Sequence, residues 1–254
     1  MPGRRAIVTG ASKGIGRAIA RLLAGRGYAV ALVARSQDLL EALARELGAA
    51  AVPLPADLRD ASRAPGLVEA AAARLGGLDL LVNCAGATKR GDIFALGHED
   101  FLDGFALKFH GAVAMTRAAW PHLRRDGAGH VVNIIGAAAR TPSADFAIGG
   151  AVNSALENFT KAMADRGLAD KVRVNAINPG PIETDRLGTR IAQVAAEMQV
   201  DEDTARARMI ADQRVIRFGR PEEVAELVAF MDSPAGAFLH GAVIELDGGA
   251  TKGL

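Results

Sequence analysis

The sequence holds little that could cross-link it, charge it or anchor it. Of its 254 residues one is cysteine, Cys84, which excludes an internal disulfide, and no metal-ligand cluster surrounds it. Both facts predict a reducing, cytoplasmic setting and no bound metal. The formal net charge is +1, so nucleic acid or a membrane surface would find no global attraction. No apolar run reaches the length of a membrane span. The opening MPGRRAIVTG enters a strand at once, which leaves no room for a signal peptide. Tyrosine occurs once, as Tyr28.

Half of the residues are hydrophobic, enough for one large core, and neither a linker nor a repeat divides the chain. Apolar strand-like runs at 6–9, 29–34, 50–53, 78–83, 131–135, 172–178 and 242–246 alternate with amphipathic segments at 15–26, 37–47, 64–75, 99–123, 151–167 and 222–232. Ser36 precedes the second helix, and Pro221 opens the last one before Glu222 and Glu223. The strands show no polar alternation, as expected of parallel strands covered on both faces. The pattern predicts a single domain over 1–254: an α/β, Rossmann-type, doubly wound parallel sheet of about seven strands with helices on both faces. The segment 179–211 is long for a plain connection and reads as a lid or substrate segment.

Thr9 to Gly16 read TGASKGIG between the first strand and the first helix. Such a turn cradles a pyrophosphate. Gly10 can take backbone angles closed to other residues, and Gly14 and Gly16 allow close approach of ligand and sheet. The free N–H groups of the helix start suit phosphate oxygens. The second strand ends Val33-Ala34-Arg35 with no carboxylate to hold a ribose 2′-hydroxyl. Arg35, with Lys13 from the turn, suits a 2′-phosphate instead, which favours NADP(H) over NAD(H).

Further segments line up with that turn: NCAG at Asn83–Gly86, NPGPIET at 178–184 and DGG at 247–249. In this order and spacing they resemble the short-chain dehydrogenase/reductase family over nearly the whole chain, with Cys84 where the family carries a second asparagine. The resemblance implies a cofactor site made by Gly10, Ser12, Lys13, Gly14, Ile15, Gly16 and Arg35, with Asp57 and Leu58 at the adenine. Asn83, Ala85 and Gly86 would lie beside the ribose, with Asn153 bonded to it. Pro179, Gly180, Ile182 and Thr184 would approach the nicotinamide. It also implies self-association as a dimer or tetramer through helices 99–123 and 151–167 and the C-terminal strand region.

The family's proton relay uses a tyrosine, a lysine four residues on, a serine after the fifth strand and an asparagine in the long helix. The matching positions here hold Gly149, Asn153, Gly136 and Lys108. Tyr28 precedes the second strand and lies in the wrong place. Loss of a positioned general acid lowers a rate by about 10²–10⁴. Gly149 and Gly150 at a helix start predict that substrate or water approaches the backbone there, in the space a ring and hydroxyl would fill. Lys108 is the candidate replacement cation near the nicotinamide and Asn153 a second candidate. His110 and Cys84 read as structural, and Asp145 as the cap of the following helix.

Lys89, Arg90, Arg140, Arg186 and Arg190 leave the carboxyl ends of strands four to six. This skew predicts an anionic small-molecule substrate, with Arg140 and Arg186 as its candidate contacts. Three functions follow. The first is an NADP(H)-dependent oxidoreductase acting on a carbonyl or alcohol with a nonstandard proton donor. The second is an inactive dinucleotide-binding sensor or assembly protein. The third is a non-redox enzyme reusing the pocket. The intact nicotinamide loop puts the oxidoreductase first.

Overall fold

Successive residues of the strands face two different helix layers. Residues 3–253 are described by a computed structural model. In β1 (Arg5–Thr9), Ala6 and Val8 pack into one core and Ile7 into the other. The same division holds in β2 (Ala29–Ala34), where Val30 and Leu32 oppose Ala31 and Val33. The remaining strands are β3 (Ala51–Pro55), β4 (Leu80–Asn83), β5 (His130–Ile134), β6 (Arg173–Pro179) and β7 (Val243–Leu246). All pair in parallel, in the order β3-β2-β1-β4-β5-β6-β7. The order reverses between β1 and β4, the place where a doubly wound sheet opens a crevice at its carboxyl ends.

One face is covered by α1 (Gly14–Gly25), α2 (Gln37–Leu47) and α9 (Pro221–Met231), through Ile19, Leu23, Leu40 and Val228. The other is covered by α3 (Ala64–Leu75), α5 (Gly111–Leu123) and α6 (Ala147–Asp170), through Val68, Met115 and Leu123. Burial on both faces explains why the strand sequences lack polar alternation.

The expected helix 99–123 is interrupted. It comprises α4 (His98–Phe105), a π-helical turn at Ala106–His110, and α5. Lys108 lies in that turn, a kind of bulge often found at functional sites. Helix α6 begins four residues before the expected 151, so Gly149 and Gly150 fall in its first turn. The segment expected as a lid contains α7 (Asp185–Met198) and α8 (Glu202–Asp212). Their Ile191, Ala195 and Ala205 share a small core with Val215 and Phe218. Ser36 stands at the N-cap of α2 without a side-chain capping bond, whereas Pro221 occupies the first turn of α9 as expected.

At the amino ends of the strands a buried polar cluster fixes the sheet. The Asp232 carboxylate, 2% exposed, accepts hydrogen bonds from Tyr28 Oη (2.8 Å) and Arg4 Nε (2.9 Å) and lies 3.1 Å from His130 Nδ1. The one tyrosine is therefore structural, and its place at the start of β2 puts it at the end of the sheet away from the crevice.

Candidate active site

The glycine turn is forced by its neighbours. Gly10 has φ +69°, and a Cβ there would lie 3.0 Å from Ala85 Cα, so the turn packs directly on the NCAG segment. A Cβ on Gly16 would lie 2.3 Å from Gly10 O, so no larger residue lets α1 start this close to β1. Helix α1 has no side-chain cap at Lys13 and no acidic residue in its first turn. Its first N–H groups are thus left to water or to an anion.

Lys13 and Arg35 are both exposed beside the crevice. The carboxylate missing from the end of β2 is partly replaced from elsewhere. Asp57, after β3, lies 4.0 Å from Arg35 Nη1 and 3.5 Å from Arg59 Nη1. Leu58 is buried beneath it.

A buried chain of hydrogen bonds holds the strand ends in register. Thr9 Oγ1 accepts from Cys84 N (2.9 Å) and Ala85 N (3.0 Å). Asn83 Nδ2 donates to Thr116 Oγ1 (3.1 Å) and Asn133 Oδ1 (2.9 Å), and Asn133 Nδ2 donates to Thr160 Oγ1 (2.9 Å). The proline-glycine loop is pinned on its far side. Gly180 N donates to Leu246 O (3.1 Å), and Glu183 N to Gly219 O (2.8 Å). Ile182 is buried, and the Thr184 methyl comes within 3.1 Å of the position a Gly14 Cβ would take, so this loop closes over the glycine turn.

The space above Gly149 is not open to substrate or water, contrary to the expectation. The ring of Phe146 fills it: a Cβ on Gly149 would lie 2.1 Å from Phe146 Cζ. The Arg90 guanidinium covers that ring at 4.2 Å from its centroid and donates to Asp145 Oδ2 at 2.6 Å. Gly91 N donates to Asp145 O (2.9 Å) and Ser143 Oγ to Asp145 Oδ1 (2.7 Å). Asp145 therefore clasps the loops after β4 and β5 and does not cap α6, whose N-cap is Phe146. Gly150 is explained separately, because its Cβ would lie 3.3 Å from Ala138 O. The glycine pair signalled a close approach, but the approaching groups belong to this chain.

Gly136 has φ +149° and packs against Asn153, whose Nδ2 would lie 2.9 Å from a Cβ there. Asn153 Nδ2 donates to Gly136 O at 3.3 Å. Asn153 is 3% exposed, and its Oδ1 has no hydrogen-bond partner among the described residues. On the adjacent carbonyl, Lys108 Nζ donates to Ile135 O at 2.5 Å. Lys108 and Asn153 thus bond consecutive carbonyls at the exit of β5, while the lysine stem lies along Gly86. Burial, and then the nearby charge of Arg186, push the Lys108 ammonium down to about 8. Burial pushes the Cys84 thiol up to about 12. Cys84 is therefore a neutral neighbour, and His110 is exposed on another face of the helix.

Most cations of the basic skew have carboxylate partners within the fold. Lys89 pairs with Asp100 (2.9 Å), Arg90 with Asp145 (2.6 Å) and Arg190 with Glu197 (3.7 Å). Arg140, a candidate substrate contact, lies 3.4 Å from Glu157 and 3.2 Å from Glu245. These two carboxylates also accept from Asn178 Nδ2, at 2.5 and 2.8 Å. Arg186 differs: Nη2 donates to Gly86 O at 2.8 Å, and it has no carboxylate partner among the described residues.

Comparison with known proteins agrees with this architecture. A family model described as enoyl-(acyl carrier protein) reductase matches residues 10–251. Cis-4-hydroxycyclohexanecarboxylate dehydrogenase of Sinomonas cyclohexanicum is 35% identical over 254 residues, covering 98% of this chain and 96% of that protein. L-sorbose reductase from Gluconobacter frateurii, solved with NADPH and L-sorbose, superposes with a TM-score of 0.94 at 30% identity and covers 100% of this chain and 98% of that one. A short-chain oxidoreductase from Pseudomonas aeruginosa containing an atypical catalytic center superposes with a TM-score of 0.90 at 28% identity, over 99% of this chain and 98% of that one.

Proposed function

The chain belongs to the short-chain dehydrogenase/reductase family, and from that premise we propose an NADP(H)-dependent oxidoreductase that interconverts a carbonyl and an alcohol, with Lys108 holding the transferable proton. The residues present fit the cofactor. The uncapped start of α1 and the Gly10–Gly16 turn suit a pyrophosphate, Arg35 and Lys13 a 2′-phosphate, and the Asn153 Oδ1, without a partner among the described residues, a ribose hydroxyl. When bound, NADP(H) supplies or accepts the hydride.

The observation that carries the proposal is the placement of Lys108 Nζ at Ile135 O, one residue before Gly136 and beside Asn153. Gly149 and Gly136 have no side chain that could donate a proton, and Phe146 blocks the first of these positions. A desolvated ammonium whose pKa is lowered to about 8 suits a general acid near neutral pH. Its tether to a backbone carbonyl fixes the donor at the strand end. The relative with an atypical catalytic center supports reading these departures as a variant site within the family.

Lys108→Met tests the assignment. NADPH affinity should change little, while carbonyl-dependent NADPH oxidation should fall about 10²–10⁴-fold. Unchanged turnover would remove Lys108 from the chemistry. NADPH binding by the wild type with no oxidation across a carbonyl panel would favour a sensor over an enzyme.

Self-association belongs to the same proposal. Leu168 in α6 is 70% exposed and Phe238 before β7 fully so, and a dimer or tetramer would cover them. A monomer by light scattering would overturn that part.

A further inference from the structure

Two cations at the carboxyl ends of β4 and β5 lack a carboxylate partner among the described residues. Lys108 Nζ bonds Ile135 O (2.5 Å), and Arg186 Nη2 bonds Gly86 O (2.8 Å). Both converge on Gly86. The lysine stem lies 3.0 Å from where a Gly86 Cβ would be, and the guanidinium holds that residue's carbonyl. Every other cation of these loops named above is paired. The thiol of Cys84 beside them supplies no countercharge, because its pKa is about 12.

Like charges this close repel, and a carbonyl oxygen offers each only a dipole. Burial, and then the charge of Arg186, disfavours the Lys108 ammonium. Arg186 is exposed at the first turn of α7 and uses one guanidinium nitrogen on Gly86. The rest of its donor fork remains for a planar anion.

We propose that Arg186 receives the carboxylate of a small oxo or hydroxy acid whose reacting oxygen lies at Lys108. This rests on the oxidoreductase reading for the role of Lys108 and narrows it to a substrate class. With the lysine stem and the guanidinium both at Gly86, the acid group and the carbonyl would sit on one small skeleton. Arg186 is then the specificity-determining residue, and Arg140, held by two glutamates, takes no part.

The test is titration calorimetry on the NADP⁺-loaded protein, in which a ketone can bind but cannot be reduced. The probes are pyruvate, levulinate and oxocyclohexanecarboxylate, each paired with its primary amide. In at least one pair the acid should bind about tenfold more tightly than the amide, as expected for one charge-assisted bidentate contact. Arg186→Met should abolish that preference and leave NADP⁺ affinity unchanged, and Arg186→Lys should retain part of it. Melting curves verify that each variant is folded, with Arg186→Gln replacing any that is not. The proposal is overturned by no acid preference in any pair, by a preference that survives Arg186→Met, or by weakened NADP⁺ binding in its place. The last result would assign the guanidinium to the cofactor phosphates. Failure of the two readings is distinguishable: Lys108→Met with full turnover sinks the proton-donor assignment while the acid preference is still measured on Arg186.

Discussion

Phe146 lies against Gly149 so closely that a Cβ on the glycine would sit 2.1 Å from Cζ of the ring. The Arg90 guanidinium also packs on the ring, 4.2 Å from its centroid. Gly149→Ala should therefore destabilise the protein by about 1–3 kcal/mol through overpacking. Combined with Phe146→Ala, it should cost less than the sum of the two single changes. Urea denaturation of the four proteins in this cycle measures the coupling, and additive effects would refute the contact. Gly149→Tyr alone should not raise turnover, because Phe146 already fills the place of the new ring.

Most of the architecture is written in the periodicity of the chain. Seven apolar runs, a glycine turn after the first and no polar alternation lead to a parallel sheet, and the expected strands agree with the observed ones to within one residue except at the start of β4 and the end of β3, which differ by two. The π-turn at Lys108 was not legible, since no residue in 106–110 breaks a helical pattern. The partners of the loop cations were not legible either. Asp145, Glu157, Glu245 and Asp57 reach them through tertiary approach between loops, helices and strands distant in sequence. The glycine pair did carry a signal of close packing. What it could not reveal is that the packing partner is Phe146, three residues before Gly149 and in a different turn of chain.

The pH profile gives Lys108 a distinctive signature. Groups facing its ammonium are the neutral thiol of Cys84 and the cation of Arg186. Carbonyl reduction needs the protonated lysine, so kcat should be level below the lysine pKa and fall tenfold per unit above about 8. Alcohol oxidation needs the neutral amine and should show the opposite limb. Arg186→Met removes one charge that lowers the pKa, so the limb should move upward. A limb at the same pH in that variant would mean that another group titrates.

Cofactor preference should respond to Asp57 as well as to Arg35. Arg35→Ala removes the cation at the end of β2 and should weaken NADPH by about 1–3 kcal/mol, with little effect on NADH. Asp57 lies 4.0 Å from Arg35 Nη1 and competes for it. Asp57→Asn should therefore increase the ratio of NADPH to NADH affinity. Fluorescence titration with both cofactors measures the two effects, and an Arg35→Ala variant that loses both cofactors equally would place the guanidinium away from the 2′-phosphate.

Acid should loosen the fold from the end of the sheet opposite the site. His130 is fully buried, and burial, partly opposed by the Asp232 hydrogen bond, pushes its pKa down to about 4. In the unfolded chain the same imidazole titrates near the ordinary value of about 6.5. Between those two values the unfolded state binds the extra proton, so stability falls as pH drops through this window, by roughly 3 kcal/mol in total. The carboxyl of Asp232 acts in the same direction at lower pH. Burial opposes its ionisation, but the His130 hydrogen bond, the Arg4 guanidinium and the Tyr28 hydroxyl together hold the pKa below the usual carboxylate range. Urea denaturation of wild type and His130→Gln at pH 7.0 and 5.5 separates the histidine, because ordinary carboxylates are still largely ionised there. The wild type should lose stability between the two conditions and the variant much less, whereas parallel losses would show that another group drives the acid response.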